Sequence, residues 1–140
     1  MRRAGPHDRD RALHPVGGMR AASESVASVG VDNVERLLRR LALNDEESVG
    51  LVLAGGVDPI GGAGLRPKVD LLVRLGALLA LGAATTSLRA TVDRAIEAGA
   101  TDAEIVGVLV SVAPAMGLAR VVSSAPKLAL AIGYDVDAEE

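Results

Sequence analysis

Residues 87–117 read SLRATVDRAIEAGATDAEIVGVLVSVAPAMG. The first part is a helical segment that stops at Gly99, a residue suited to the left-handed conformation that closes helices. Thr101 and Glu104 follow in the Thr-x-x-Glu spacing of a capping box, so a new helix opens within two residues of that stop. Gly117 lies thirteen residues beyond Glu104. A helix, a tight turn and a second capped helix leave no room for a strand, and this stretch therefore points to an all-α fold.

Working outward, the preceding helix is expected over about Thr85 to Ala98, and the helix opened at Thr101 is expected to break or kink at Pro114. A further helix runs from about Met116 to Ile132, with a second kink expected at Pro126. Upstream, Pro67 suits the first turn of a helix reaching Leu81, where Gly82 stops it. That segment is apolar nearly all round, which implies burial on several sides. Asp58 to Leu65 is a glycine-rich loop without the Gly-Lys-Ser/Thr of a phosphate-binding loop, and it reads as a connector. Asp32 is expected to cap a helix over Asn33–Leu43, with Val34, Leu37, Leu38 and Leu41 on one face. Asn44 is expected to cap the next, whose first turn holds Asp45, Glu46 and Glu47 and which ends at Gly55-Gly56. No segment alternates with period two, and no repeat of solenoid length occurs.

Composition narrows the function. With 49% hydrophobic residues but no Phe, no Trp and only Tyr134, any core must consist of Leu, Val, Ile and Ala. A net charge of -3 and the lack of stacking aromatics argue against nucleic-acid partners. The absence of cysteine removes disulfides, thiolate metal sites and thiol redox chemistry. The histidines, His7 and His14, are not at ligand spacing, so no metal or other cofactor is expected. The charge-free stretches Leu75–Leu88 and Ile105–Ala119 fall short of the roughly eighteen residues of a membrane span.

The organisation expected is an unstructured N-terminal arm over 1–25, one helical domain over 26–134 and an acidic tail over 135–140. The arm is basic but has no apolar run behind it, so it lacks a signal-peptide core, and a cytoplasmic location is the default expectation. His7 and His14 read as solvated arm residues.

The order Gly99, Thr101, Glu104, Ile105 and Gly117, preceded by Leu65-Arg-Pro-Lys68 and an apolar helix, resembles the carboxymuconolactone decarboxylase and alkylhydroperoxidase D-like superfamily. The resemblance covers roughly Leu65 to Ile132. It implies an orthogonal bundle of about six helices that assembles as a homotrimer or homohexamer, with a pocket between helices or subunits. Aligned through Gly99, the family's histidine falls on Thr91, its two cysteines fall on Ala84 and Ser87, and Gly107 stands where a second Glu is often found. A thiol peroxidase needs a thiolate and a resolving thiol, which this chain lacks. The resemblance thus implies a non-redox protein acting on or binding a small, anionic organic molecule, as a decarboxylase or cyclase-like lyase. The alternative is a catalytically silent ligand-binding or oligomeric scaffold protein.

The candidate substrate-binding residues are Arg74, Ser87, Arg89, Thr91, Glu104 and Arg120. Each arginine could hold a carboxylate in bidentate geometry, or could pair with Asp93, Glu97 or Glu104. Glu104 could be a general acid or only a cap. Ser87 and Thr91, four apart on one helix face, could bind a ligand or bond back to helix carbonyls. Tyr134 is either a proton donor reaching a pocket or an exposed tail residue. A third possibility is an interaction module that uses the basic arm.

Overall fold

The computed structural model describes residues 18–55 and 64–135, with side chains from residue 30 onward. Among the described residues every regular element is helical: α1 (Gly18–Ala42), α2 (Glu46–Ala54), α3 (Pro67–Leu81), α4 (Thr85–Glu97), α5 (Asp102–Met116) and α6 (Leu118–Ile132). The chain forms two compact units, 1–64 and 65–140. The two histidines, most of the connector after Gly55 and the tail beyond Asp135 lie outside the described residues.

In the first unit α1 begins at Gly18, not after Asp32. Asp32 is a good cap in isolation, but capping is worth only about 1 kcal/mol. A helix already running upstream gains a hydrogen bond for each residue it adds, and it passes through Asp32. Asn44 is likewise not the cap of α2. It closes α1, adopting φ 54 as the one non-glycine residue with positive φ among those described. The Asn44 amide donates to Leu41 O and the Asp45 amide to Arg40 O, the paired bonds of a Schellman closure. Asp45 then caps α2, its Oδ2 accepting from the Ser48 amide at 3.0 Å and from Ser48 Oγ at 2.6 Å. These two bonds hold its carboxyl below the ordinary range.

The second unit holds the apolar core. Each of α4 and α5 packs against both α3 and α6, which closes a four-helix bundle. Leu71, Leu75 and Leu79 of α3 recur every fourth residue and face Leu88, Val92 and Ala95 of α4, Ile105 of α5, and Leu128 and Ala131 of α6. Burying one such leucine contributes roughly 1.5–3 kcal/mol. Exposed Val73 and Leu81 show that α3 buries one side and leaves another open, so its all-round apolarity does not mean all-round burial within the chain. Gly76 lets α3 approach α5 closely: a Cβ there would stand 3.2 Å from Val112 Cγ1 and 3.3 Å from Val108 Cγ1.

Pro114 does not break α5, which runs on to Met116 and is closed by Gly117 at φ 79. Pro114 forgoes the amide bond to the carbonyl four residues before it, a loss that falls in the last turn, two residues before the helix ends. α6 also continues through Pro126, which stands in mid-helix.

Candidate functional site

The turn between α4 and α5 positions an acidic group, Glu104, that faces a sizeable hollow. Thr101 is the N-cap of α5, and its Oγ1 accepts from the Glu104 amide at 3.2 Å. Glu104 Oε2 in turn accepts from the Thr101 amide at 2.9 Å, so the reciprocal capping box is complete. The other carboxylate oxygen, Oε1, accepts from Lys68 Nζ at 2.8 Å. Lys68 follows Pro67 in the first turn of α3, so this ion pair ties the start of α3 to the start of α5. The Lys68 hydrogen bond is the largest influence on Glu104 and the Thr101 amide the next, and together they hold its carboxyl below its ordinary value of 4.5.

Beside this pair, between α3 and α5, lies a hollow of about 440 Å³. One wall is Leu72, Val73, Gly76 and Ala77 of α3, and the other is Glu104, Gly107, Val108, Ser111 and Val112 of α5. The α5 positions recur at i, i+3, i+4, i+7 and i+8, a single helix stripe. Gly107 keeps the hollow open, because a Cβ added there would meet nothing within 4 Å. Ser111 lies seven residues from Glu104, about 10 Å along the axis, so the two polar groups mark opposite ends of an aliphatic trough.

The other candidates do not converge on this hollow. Arg74 Nε pairs with Asp70 Oδ2 at 2.8 Å on the same helix, not with Asp93, Glu97 or Glu104. Arg89 Nη2 donates to Leu130 O at 2.9 Å, sharing with the Gly133 amide a carbonyl in the last turn of α6 and fastening α4 to it. Thr91 Oγ1 donates to Ser87 O at 3.0 Å, the backbone bonding that engages Thr and removes it from ligand contact. Tyr134 folds back, its hydroxyl donating to Asp102 Oδ2 at 3.3 Å while the ring stays exposed.

Arg120 stands apart. It lines a second hollow of about 410 Å³ with Met116, Ala119 and Ser123. Its guanidinium lies over Gly82, the left-handed residue that closes α3, so closely that a Cβ on Gly82 would collide with it. Among the described residues the guanidinium has neither an ion-pair nor a hydrogen-bond partner, while the Arg120 carbonyl accepts from Ser123 Oγ at 3.1 Å.

Residues 53–129 match the model of the carboxymuconolactone decarboxylase family, more than half of the chain. The chain belongs to that family. The match starts upstream of Leu65, where the sequence resemblance begins, and takes in α3, α4, α5 and most of α6. This carboxymuconolactone decarboxylase-family chain has no significant match among curated proteins or solved structures. Among the described residues no helix is long and apolar enough to cross a membrane.

Of the sequence candidates, only Glu104 lines the α3–α5 hollow. Lys68, Gly107 and Ser111 complete the arrangement. The first two were visible in the sequence only as a scaffold residue and as a departure from the family pattern, and Ser111 carried no signal beyond its spacing from Glu104.

Proposed function

We propose that this family member binds a compact, largely apolar organic molecule in the α3–α5 hollow, without thiol redox chemistry and without general acid catalysis. The observation that carries this reading is the hollow itself: its volume lies within the roughly 300–1,000 Å³ of small-molecule sites, its walls are aliphatic, and few polar groups line it. Glu104 supports binding over proton delivery. A general acid must hold a proton near the working pH, whereas the hydrogen bonds from Lys68 and the Thr101 amide shift this carboxyl in the opposite direction, below its ordinary value. Arg74 and Arg89 are occupied by Asp70 and Leu130 O. This is the catalytically silent, ligand-binding member of the two readings.

One observation favours the other reading, a decarboxylase-like lyase with an anionic substrate: the unpaired guanidinium of Arg120 beside its own hollow. Gly107→Leu separates the two. A leucine fills the α3–α5 hollow while improving helix propensity, so octan-1-ol binding measured by calorimetry should weaken at least about tenfold with the melting temperature unchanged or raised. Unchanged affinity in a folded Gly107→Leu protein contradicts the binding reading. Turnover of a carboxylated lactone that survives Gly107→Leu and is lost in Arg120→Ala establishes the lyase.

A further inference from the structure

The polar rim of the α3–α5 hollow also restricts its ligand. We infer that the molecule bound there carries a hydrogen-bond-donating head group, an alcohol or an amine on an aliphatic body, and that the hollow selects against carboxylates. This rests on the binding reading above and assigns the chemistry of the ligand.

Four observations lead to it. First, Glu104 is the one ionisable residue among those lining the hollow. A carboxylate offers about four acceptor positions. Lys68 Nζ occupies one on Oε1, and the Thr101 amide, with its hydroxyl at 3.4 Å, occupies Oε2. Oε1 therefore retains capacity for one more donor without displacing Lys68. Second, the nearest cation is already committed. A ligand carboxylate that took Lys68 would strand Glu104 without its counter-ion and bring two carboxylates together, which raises the free energy of both. Third, Arg74 is held on its own helix by Asp70, so among the described residues no second cation lines this wall. Fourth, the remaining wall is aliphatic except for Ser111, and an anion seated among Leu72, Val73, Val108 and Val112 would lose water without gaining a partner. A donor head at Glu104 with the aliphatic body lying toward Ser111 meets each of these conditions.

Three ligands with one tail test this: octan-1-ol, octylamine and octanoate, titrated calorimetrically into the full chain at neutral pH. Octan-1-ol and octylamine are expected to bind about tenfold or more tightly than octanoate, the difference made by a hydrogen bond to a charged acceptor. Glu104→Gln keeps an acceptor oxygen and the capping-box geometry. In that variant, checked for folding by circular dichroism, the preference over octanoate should shrink to about threefold or less. Octanoate binding as tightly as octan-1-ol, or a preference untouched by Glu104→Gln, overturns the head-group assignment while leaving the hollow as a ligand site. Failure of all three to bind overturns the binding reading and this inference together. If a second copy of the chain fills the hollow, octan-1-ol affinity falls as protein concentration and scattering mass rise, and the inference is likewise overturned.

Discussion

The two ends of α3 each meet a cation, and the protein treats them oppositely. At the first turn, Lys68 is paired with Glu104 at 2.8 Å. At the last, the Arg120 guanidinium lies over Gly82 with no counter-ion among the described residues. The helix dipole accounts for the difference. A positive charge at a helix N-terminus is opposed by the dipole and needs an anion, whereas one at the C-terminus is favoured by the last carbonyls themselves. Unpaired arginine in a hollow is thus weaker evidence for an anionic ligand than it is elsewhere on a surface. The paired end is the one that opens onto an aliphatic trough, and its pairing leaves an acceptor oxygen there.

The largest expected effect that probes this contrast is at the unpaired end. Gly82→Ala imposes a left-handed alanine and a collision with Arg120, so denaturant unfolding should show a loss of about 2 kcal/mol. In an Arg120→Ala background the cost should fall to the backbone strain alone, about 1 kcal/mol. A cost unchanged by Arg120→Ala would detach Arg120 from the end of α3. Next, Thr101→Ala removes the N-cap of α5 and should destabilise by about 1 kcal/mol. It should also loosen Glu104, which would appear as weaker octan-1-ol binding.

A smaller effect is the pH dependence. The Glu104 carboxyl is depressed in the folded chain, so its contribution to stability is complete above its ordinary value of 4.5 and is lost as pH falls through the lower folded-state value. Melting temperatures measured from neutrality to pH 3 should decline less steeply in Glu104→Gln than in the parent. Identical slopes would mean that the Lys68 pairing does not persist in solution. The smallest effect is that of Arg120→Ala alone, a few tenths of a kcal/mol from the dipole contact at an exposed position. A loss several times larger would reveal an anion or a partner that the dipole account lacks.

The same contrast explains what could be read from the sequence. Pro67, Gly82, Gly99 and the Thr101–Glu104 box are local signals, each decided by residues within one turn, and the bounds of α3 and the start of α5 follow from them. The start of α1 was hidden because Asp32 has the chemistry of a cap, while a helix propagating from Gly18 overrides it. Asn44 and Asp45 lie side by side and share that chemistry, so only the positive φ at Asn44 separates the closing residue from the opening one. For Arg74, the i, i+4 rule applied to Asp70 would have found the partner without a structure. The partner of Arg89 and the surroundings of Arg120 could not have been found in this way, because one is a backbone carbonyl and the other a helix end, which no side chain in the sequence reports. Lys68 and Glu104 are 36 residues apart and each has a local capping role, so nothing in either stretch indicates that they meet. Elements defined by one turn were legible, and contacts made between helix ends were not.

The most direct test of the central claim is an amide chemical-shift titration of the labelled full-length chain with octan-1-ol. Perturbations confined to Gly76, Gly107, Ser111 and their neighbours in α3 and α5, saturating with added ligand and absent in Gly107→Leu, are the predicted result. Shifts gathered around Met116, Arg120 and Ser123, or no saturable shifts at all, would contradict the assignment of the α3–α5 hollow as the binding site.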